Sequence, residues 1–274
     1  MRVILLCAGY GTRLENDLRA SEVPELKSLV GRPKGLLPIG EKALLGFWFE
    51  EFKDCPDITE ILLVTNDKFL EQFAKSRKWY AADYDGPEAA KIKIISDGST
   101  CNDTRLGAVA DIKFGLDNFS AEDDVLIIAG DTLFRKDFKL NEFIAEFQAL
   151  KKRPSKEGLA LITECPCPEE EVSKHGIIEV NNEGRVISFK EKPKLCETQS
   201  RSQSPCFYLL DVKCQQFIDE FLKETSDLPL EKTDATGNFL AYLIPKAMVF
   251  AYKTSGRFDV GNLSSYQFCI ENHK

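Results

Sequence analysis

Apolar residues follow two rhythms along this chain. In the first half, consecutive aliphatic residues form short runs: Val3-Ile4-Leu5-Leu6, Ile61-Leu62-Leu63-Val64, Ile92 to Ile95 and Val125-Leu126-Ile127-Ile128. Such runs predict strands buried on both faces. Between them, Leu44 to Phe52, Lys68 to Tyr80 and Leu106 to Leu116 carry apolar side chains at helical spacing. Strand and helix in alternation predict a parallel sheet with helices on both faces, doubly wound through right-handed crossovers.

After about residue 150 the rhythm changes. Leu159 to Glu164, Gly176 to Val180, Val186 to Lys190 and Phe207 to Leu210 read as strands without a long helix between each pair. Asn181-Asn182-Glu183-Gly184 reads as a hairpin turn. Leu195 to Pro205 reads as an exposed loop, and helical periodicity returns at Val212 to Lys223 and from Asn262 onward. The expected architecture is a single α/β domain over residues 1–274. Its sheet is doubly wound, mixed and mostly parallel, with a small additional β lobe in the second half. The two halves divide near residue 135.

Composition narrows the classes of function. The 274 residues carry a net charge of −8 and no dense tract of lysine or arginine, which argues against a nucleic-acid or anionic-membrane surface. No apolar run reaches the roughly 18–20 residues of a membrane span. Nine scattered cysteines, an odd number without secretory features, read as reduced thiols in a cytoplasmic protein. Cys165-Pro166-Cys167 has only His175 and His273 to complete a zinc site, so small residues near a strand end are the better reading. A phosphate ligand would have to be held by a few local cations and backbone N–H groups.

Several motifs could do that. The first strand runs into Ala8-Gly9-Tyr10-Gly11-Thr12-Arg13-Leu14, where Gly9 and Gly11 permit a sharp turn and Thr12 and Arg13 add a hydroxyl and a cation. A dinucleotide-binding pattern fails at Leu14, where a third glycine is needed. Pro33-Lys34-Gly35 locks a lysine ahead of Leu36-Leu37-Pro38. Gly130-Asp131 places a carboxylate past the end of a buried strand, where ligands of open α/β sheets collect, although helix capping is an alternative use. Glu191-Lys192-Pro193 ends another strand, and Phe258-Asp259-Val260-Gly261 supplies a second aspartate. Asp131 and Asp259 together suit a hard cation such as Mg²⁺.

These five motifs, in this order and spread over nearly the whole chain, resemble the sugar-1-phosphate nucleotidylyltransferase family. The resemblance implies a Rossmann-like nucleotide-diphospho-sugar transferase fold. It also implies a reaction in which a nucleoside triphosphate and a sugar 1-phosphate give a nucleotide-sugar and pyrophosphate. Under it, Gly9, Gly11 and Thr12 would cradle the triphosphate, and Arg13 would hold the β- and γ-phosphates. Lys34 would neutralise the α-phosphate under attack, while Arg105 and Gly107 would border the nucleotide. Gly176 and Glu191 would meet the sugar, Lys192 its phosphate, and Asp131 and Asp259 the Mg²⁺. Residues of about 1–135 would then form the nucleotide half and about 136–274 the sugar-phosphate half.

Three departures accompany the resemblance. Glu15 to Arg32 is longer than in compact members, suiting a lid, an allosteric element or a subunit contact. Asn102-Asp103-Thr104-Arg105 replaces the usual residues ahead of Leu106-Gly107-Ala108, which leaves the base open. No left-handed β-helix is expected after the catalytic module. Family analogy favours UTP or dTTP with glucose 1-phosphate. A cytidylyltransferase acting on phosphocholine or a similar phosphoamine is one alternative, and a non-catalytic regulatory or scaffold subunit is another. The expected partners are the two substrates, with room for a homo-oligomer.

Overall fold

The four apolar runs of the first half lie side by side and parallel. The computed structural model describes residues 1–153 and 155–273. Strand Arg2–Leu6 is flanked by Glu60–Thr65 and Val125–Ala129, and Ile92–Ser96 lies outside Glu60–Thr65. In register, Leu6 stands beside Val64 and Ala129. The strands therefore finish at one level, and the loops that follow them gather at a single edge of the sheet.

Both faces of these strands are buried, and alternation sorts their side chains. Leu5, Leu63, Leu126 and Ile128 join one core with Trp48 and Phe52 from helix Leu44–Lys53 and Phe143 and Phe147 from helix Leu140–Lys151. Ile4, Leu62, Val64 and Ile127 join the other, with Ile112 from helix Ala108–Asp117 and Ile218 and Phe239 from helices Val212–Glu224 and Thr236–Leu243. A large apolar side chain fully withdrawn from water stabilises the fold by about 1.5–3 kcal/mol. Two such layers hold the sheet edge firmly enough for polar chemistry to sit on it.

The sheet continues into the second half with its direction reversed. Phe207–Leu210 runs antiparallel to both Val125–Ala129 and Leu159–Pro166, stitching the halves together. Ser202–Gln203 then links Leu159–Pro166 to Gly176–Val180, and Val186–Glu191 closes that edge as a hairpin. Met248–Lys253 lies parallel to Leu159–Pro166. The expected α/β fold with a mixed sheet is borne out.

Local expectations are refined in four places. The segment from Lys68 to Tyr80 is two helices, Asp67–Lys75 and Arg77–Tyr80, interrupted at Ser76. Serine favours such an end because its side chain competes for backbone hydrogen bonds. The helix expected from Leu106 starts at Ala108, whose N–H donates to the Asp234 carboxylate at 2.8 Å. The loop from Leu195 to Pro205 holds the Ser202–Gln203 strand. Finally, Glu15 to Arg32 contributes to helices Thr12–Ala20 and Pro24–Lys27, tied back by Leu263 N–H to Asp17 at 3.1 Å and by the Gln72 amide to Gly31 O at 2.9 Å. No helix among the described residues is long and apolar enough to cross a membrane.

Candidate active site

A cleft of about 620 Å³ opens where the parallel strands end, and both halves line it. Its floor begins with the turn after the first strand. Gly11 adopts φ 62°, left-handed backbone that costs a side-chain-bearing residue about 1–2 kcal/mol, and it caps helix Thr12–Ala20. That helix has no side-chain cap, so its first N–H groups face outward with the positive end of the helix dipole. Arg13 lines the cleft there. The turn is braced by the buried Asn66, whose amide donates to Ala8 O at 2.8 Å.

Lys34 and Asp131 meet across this floor, with Nζ donating to the carboxylate at 2.9 Å. Burial by itself would push the lysine down, but Asp131 beside it and Asp259 nearby hold its pKa above the ordinary lysine value. Burial likewise pushes the Asp131 carboxyl up, and Lys34 and then Arg257 outweigh it, leaving it below the usual carboxylate range. Asp131 is positioned from below: Gly130 N–H donates to Leu6 O at 2.9 Å, and the buried Trp48 indole donates to Thr132 O at 2.9 Å. Strand Arg257–Asp259 pairs antiparallel with Thr132–Phe134, and Val260 N–H donates to Asp131 O at 3.1 Å. The two aspartates thus stand where two paired strands meet, Asp131 just before one and Asp259 at the end of the other.

Arg257 joins this centre to the second half. Its buried guanidinium reaches Asp259 at 3.3 Å, the Gln203 side chain at 3.3 Å and His175 Nδ1 at 3.2 Å. Burial and then Arg257 push the His175 pKa down. A guanidinium can only donate, so Nδ1 is the accepting nitrogen and the ring proton lies on Nε2. Next to it, Gly176 and Gly237 both approach the ring of Phe189 so closely that a Cβ at either position would collide with it. Glu191 and Lys192 follow Phe189 at the end of the same strand. Lys192 has φ 46°, and its side chain is 60% exposed. Such backbone strain clusters at functional positions.

The opposite wall is acidic. Asp234 receives Ala108 N–H and the Arg105 Nε at 3.4 Å, so Arg105 is already paired. Asp111, on the first turn of helix Ala108–Asp117, is 7% exposed, and its Oδ1 has no hydrogen-bond partner among the described residues. Burial pushes its pKa up to about 8, with the Asp97 and Asp234 carboxylates adding to the rise.

The cleft brings together Gly9, Gly11, Arg13, Lys34, Arg105 and Gly107 from the first half with Asp131, Gly176, Glu191 and Lys192. Thr12 and Asp259 are not among its lining residues. Thr12 is turned out as an exposed first residue of its helix, and Asp259 stands behind Arg257. Arg257, His175 and Asp111 are site residues that motif reading passes over. Arg257 had a signal, because it lies two residues before Asp259 on a strand and so shares its face. Asp111 had none, being one acid among the exposed and buried positions of an amphipathic helix.

Comparison with known proteins bears on the fold and the family. Solved structures of similar form include a Bacillus anthracis protein described as a glucose-1-phosphate thymidylyltransferase (TM-score 0.72, 20% identity, covering 99% of this chain and 94% of that one). A UDP-glucose pyrophosphorylase complexed with UDP-glucose is equally similar, at TM-score 0.72 and 19% identity over 98% of this chain and 97% of that one. Among curated relatives, a glucose-1-phosphate adenylyltransferase from Clostridium novyi is 27% identical over 143 residues, 52% of this chain and 34% of that protein. Another, from Thermomicrobium roseum, is 32% identical over 144 residues, 52% of this chain and 31% of that protein. The alignment thus spans about a third of the length of these relatives. The model of the nucleotidyl transferase family matches residues 2–272, and the chain belongs to that family.

Proposed function

We propose that this protein transfers a nucleotidyl group from a nucleoside triphosphate to a sugar 1-phosphate, releasing pyrophosphate. The observation that carries this reading is one cleft lined by Arg13, Lys34 and Asp131 together with Glu191, Lys192 and Arg257. Two phosphate-bearing substrates can lie end to end along that row of charges. A phosphate oxygen of the sugar 1-phosphate attacks the α-phosphorus, and the bond to the β-phosphate breaks. No covalent intermediate on the protein is needed. The chain's part is to align the two substrates and neutralise charge as it develops. Lys34 stands at the junction, Arg13 toward the departing pyrophosphate, and Lys192 toward the sugar phosphate. Glu191 offers acceptors to sugar hydroxyls.

Asp131 and Asp259 fit a divalent cation. Both are oxygen donors at the ends of paired strands, and Mg²⁺ is commonly held by one or two carboxylates plus substrate phosphates. Once bound there, Mg²⁺ would neutralise and orient the phosphates. Lys34 and Arg257 hold these two carboxylates in place from either side.

Glucose 1-phosphate is the first acceptor to try, because the similar proteins are named for glucose. UTP and dTTP follow from the sequence expectation and the two similar structures, and ATP from the curated relatives. The test is pyrophosphate release from these and the other common triphosphates, each with a panel of sugar 1-phosphates and Mg²⁺. Turnover that requires both substrates supports the reading, and no release from any pair removes it.

A further inference from the structure

The base end of the cleft is built around a group that the transferase chemistry does not use. If the proposed reaction is right, the triphosphate lies over Arg13 and Lys34, and the sugar phosphate lies toward Lys192. The base then falls against the remaining wall, where Asp111 lines the cleft beside Asn102 and Gly107. Asp111 is more than nine-tenths buried, and its Oδ1 is a bare acceptor. An unmet buried polar atom costs about 1–3 kcal/mol, so a folded protein keeps one where a ligand completes it.

The surroundings decide what kind of ligand edge fits. Asp97 neighbours Asp111 and accepts from Ser99 N–H at 2.8 Å and Ser99 Oγ at 2.7 Å, and Ser99 in turn accepts from the Tyr10 hydroxyl at 3.1 Å. Asp234 closes the other side, with its acceptors taken by Ala108 and Arg105. Asp111, held neutral by this company, shares a hydrogen bond with Asp97, and its carboxyl lines the cleft. Carboxyl oxygens surround the recess, so it favours N–H donors and repels keto oxygens.

We propose that Asp111 selects the base. Its carboxyl, which lines the cleft with an acceptor to spare, takes an N–H from the base edge, so that the cleft takes triphosphates bearing an exocyclic amino group (adenine, cytosine or guanine) ahead of uracil and thymine. This rests on the nucleotidylyl-transfer reading and sharpens it, setting the amino bases against the UTP or dTTP of the sequence expectation.

The experiment measures kcat/KM for ATP, CTP, GTP, UTP and dTTP with the best sugar 1-phosphate, in wild type, Asp111→Ala and Asp111→Asn. The same five nucleotides are ranked by equilibrium binding. Wild type is expected to favour at least one amino-bearing triphosphate over UTP and dTTP by about tenfold or more, and Asp111→Ala to shrink that ratio by about tenfold or more. Asp111→Asn keeps a carbonyl acceptor and a donor to Asp97, so its ratio should stay within about threefold of wild type. A wild type that prefers UTP or dTTP overturns the proposal, and so does a ratio unmoved in Asp111→Ala. Should the alanine variant fail to fold, the wild-type ranking and Asp111→Asn still decide. If no pair turns over, the transfer reading falls, while the binding ranks still judge Asp111: an amino preference supports it and equal or absent binding overturns it.

Discussion

The two ends of the cleft are made from opposite kinds of sheet and carry opposite kinds of charge. The Asp111 end stands on parallel strands that finish level, and its lining arginine is already neutralised by Asp234. The Lys192 end stands on an antiparallel hairpin, with an exposed lysine held in left-handed backbone and a buried arginine behind it. Between them, Lys34 and Asp131 sit at the seam. The contrast teaches that the direction of a substrate can be encoded by where basic side chains gather: Arg13, Lys34, Lys192 and Arg257 line the middle and the Lys192 end, the last three each facing a carboxylate. On the proposed reading, phosphates go to that side, and an uncharged, donor-bearing edge is left for the acidic wall.

The largest effect should come from the seam. Lys34→Met keeps most of the stem's packing and removes the charge, and it should lower kcat by on the order of 10²-fold or more. Triphosphate KM should change much less, because the interaction strengthens as charge develops at the α-phosphate. Steady-state kinetics showing a KM effect alone would place Lys34 in ordinary ground-state binding.

A smaller and different effect is expected at the Lys192 end. Lys192→Met should raise KM for the sugar phosphate about tenfold and leave the triphosphate KM near wild type. Lys192→Gly should show the same kinetic loss yet unfold at higher denaturant, since relief of the left-handed backbone is worth about 1 kcal/mol. A glycine variant less stable than the methionine variant would show that the strained conformation is not what the lysine costs.

An effect of another kind belongs to the acidic wall, and it appears in stability. Asp111 titrates near 8 in the folded protein and near the ordinary aspartate value of about 3.9 when unfolded. Between those values the native state binds a proton that the unfolded chain releases. Its stabilising contribution is therefore complete below about pH 4 and is lost as pH rises through about 8. The slope is on the order of 1 kcal/mol per pH unit. Asp111→Asn should flatten the decline in denaturation midpoint between pH 5 and 8, with Asp97 and Asp234 facing it and Arg105 held on Asp234. Parallel pH profiles for variant and wild type would put the titrating group elsewhere.

Much of the first half could be read directly because a doubly buried parallel strand leaves a continuous apolar run, as Val3 to Leu6 and Val125 to Ile128 do. Motifs at the ends of such strands then land together by register. Strand Met248–Lys253 left a weaker trace: its single parallel neighbour comes from far along the chain, and its side chains are only partly buried. Ser202–Gln203 is two residues long and exists only because longer strands flank it. At the site, Lys34, Asp131 and Lys192 were marked by glycine and proline neighbours. Arg257 and Asp111 act through burial, which depends on what other segments bring against them.

Trp48 has a consequence for observation. The chain has two tryptophans, and they sit in very different surroundings. Trp48 is buried among Phe134, Phe138 and Phe207 and is bonded to the carbonyl of the residue after Asp131. Trp79 is half-buried, with Arg32 over its ring at 5.5 Å. The protein thus carries a built-in optical probe bonded to the residue next to Asp131. In a Trp79→Phe background, emission from Trp48 would register any shift of the Asp131 loop as substrates or ions arrive, while iodide in the solvent would leave it unquenched.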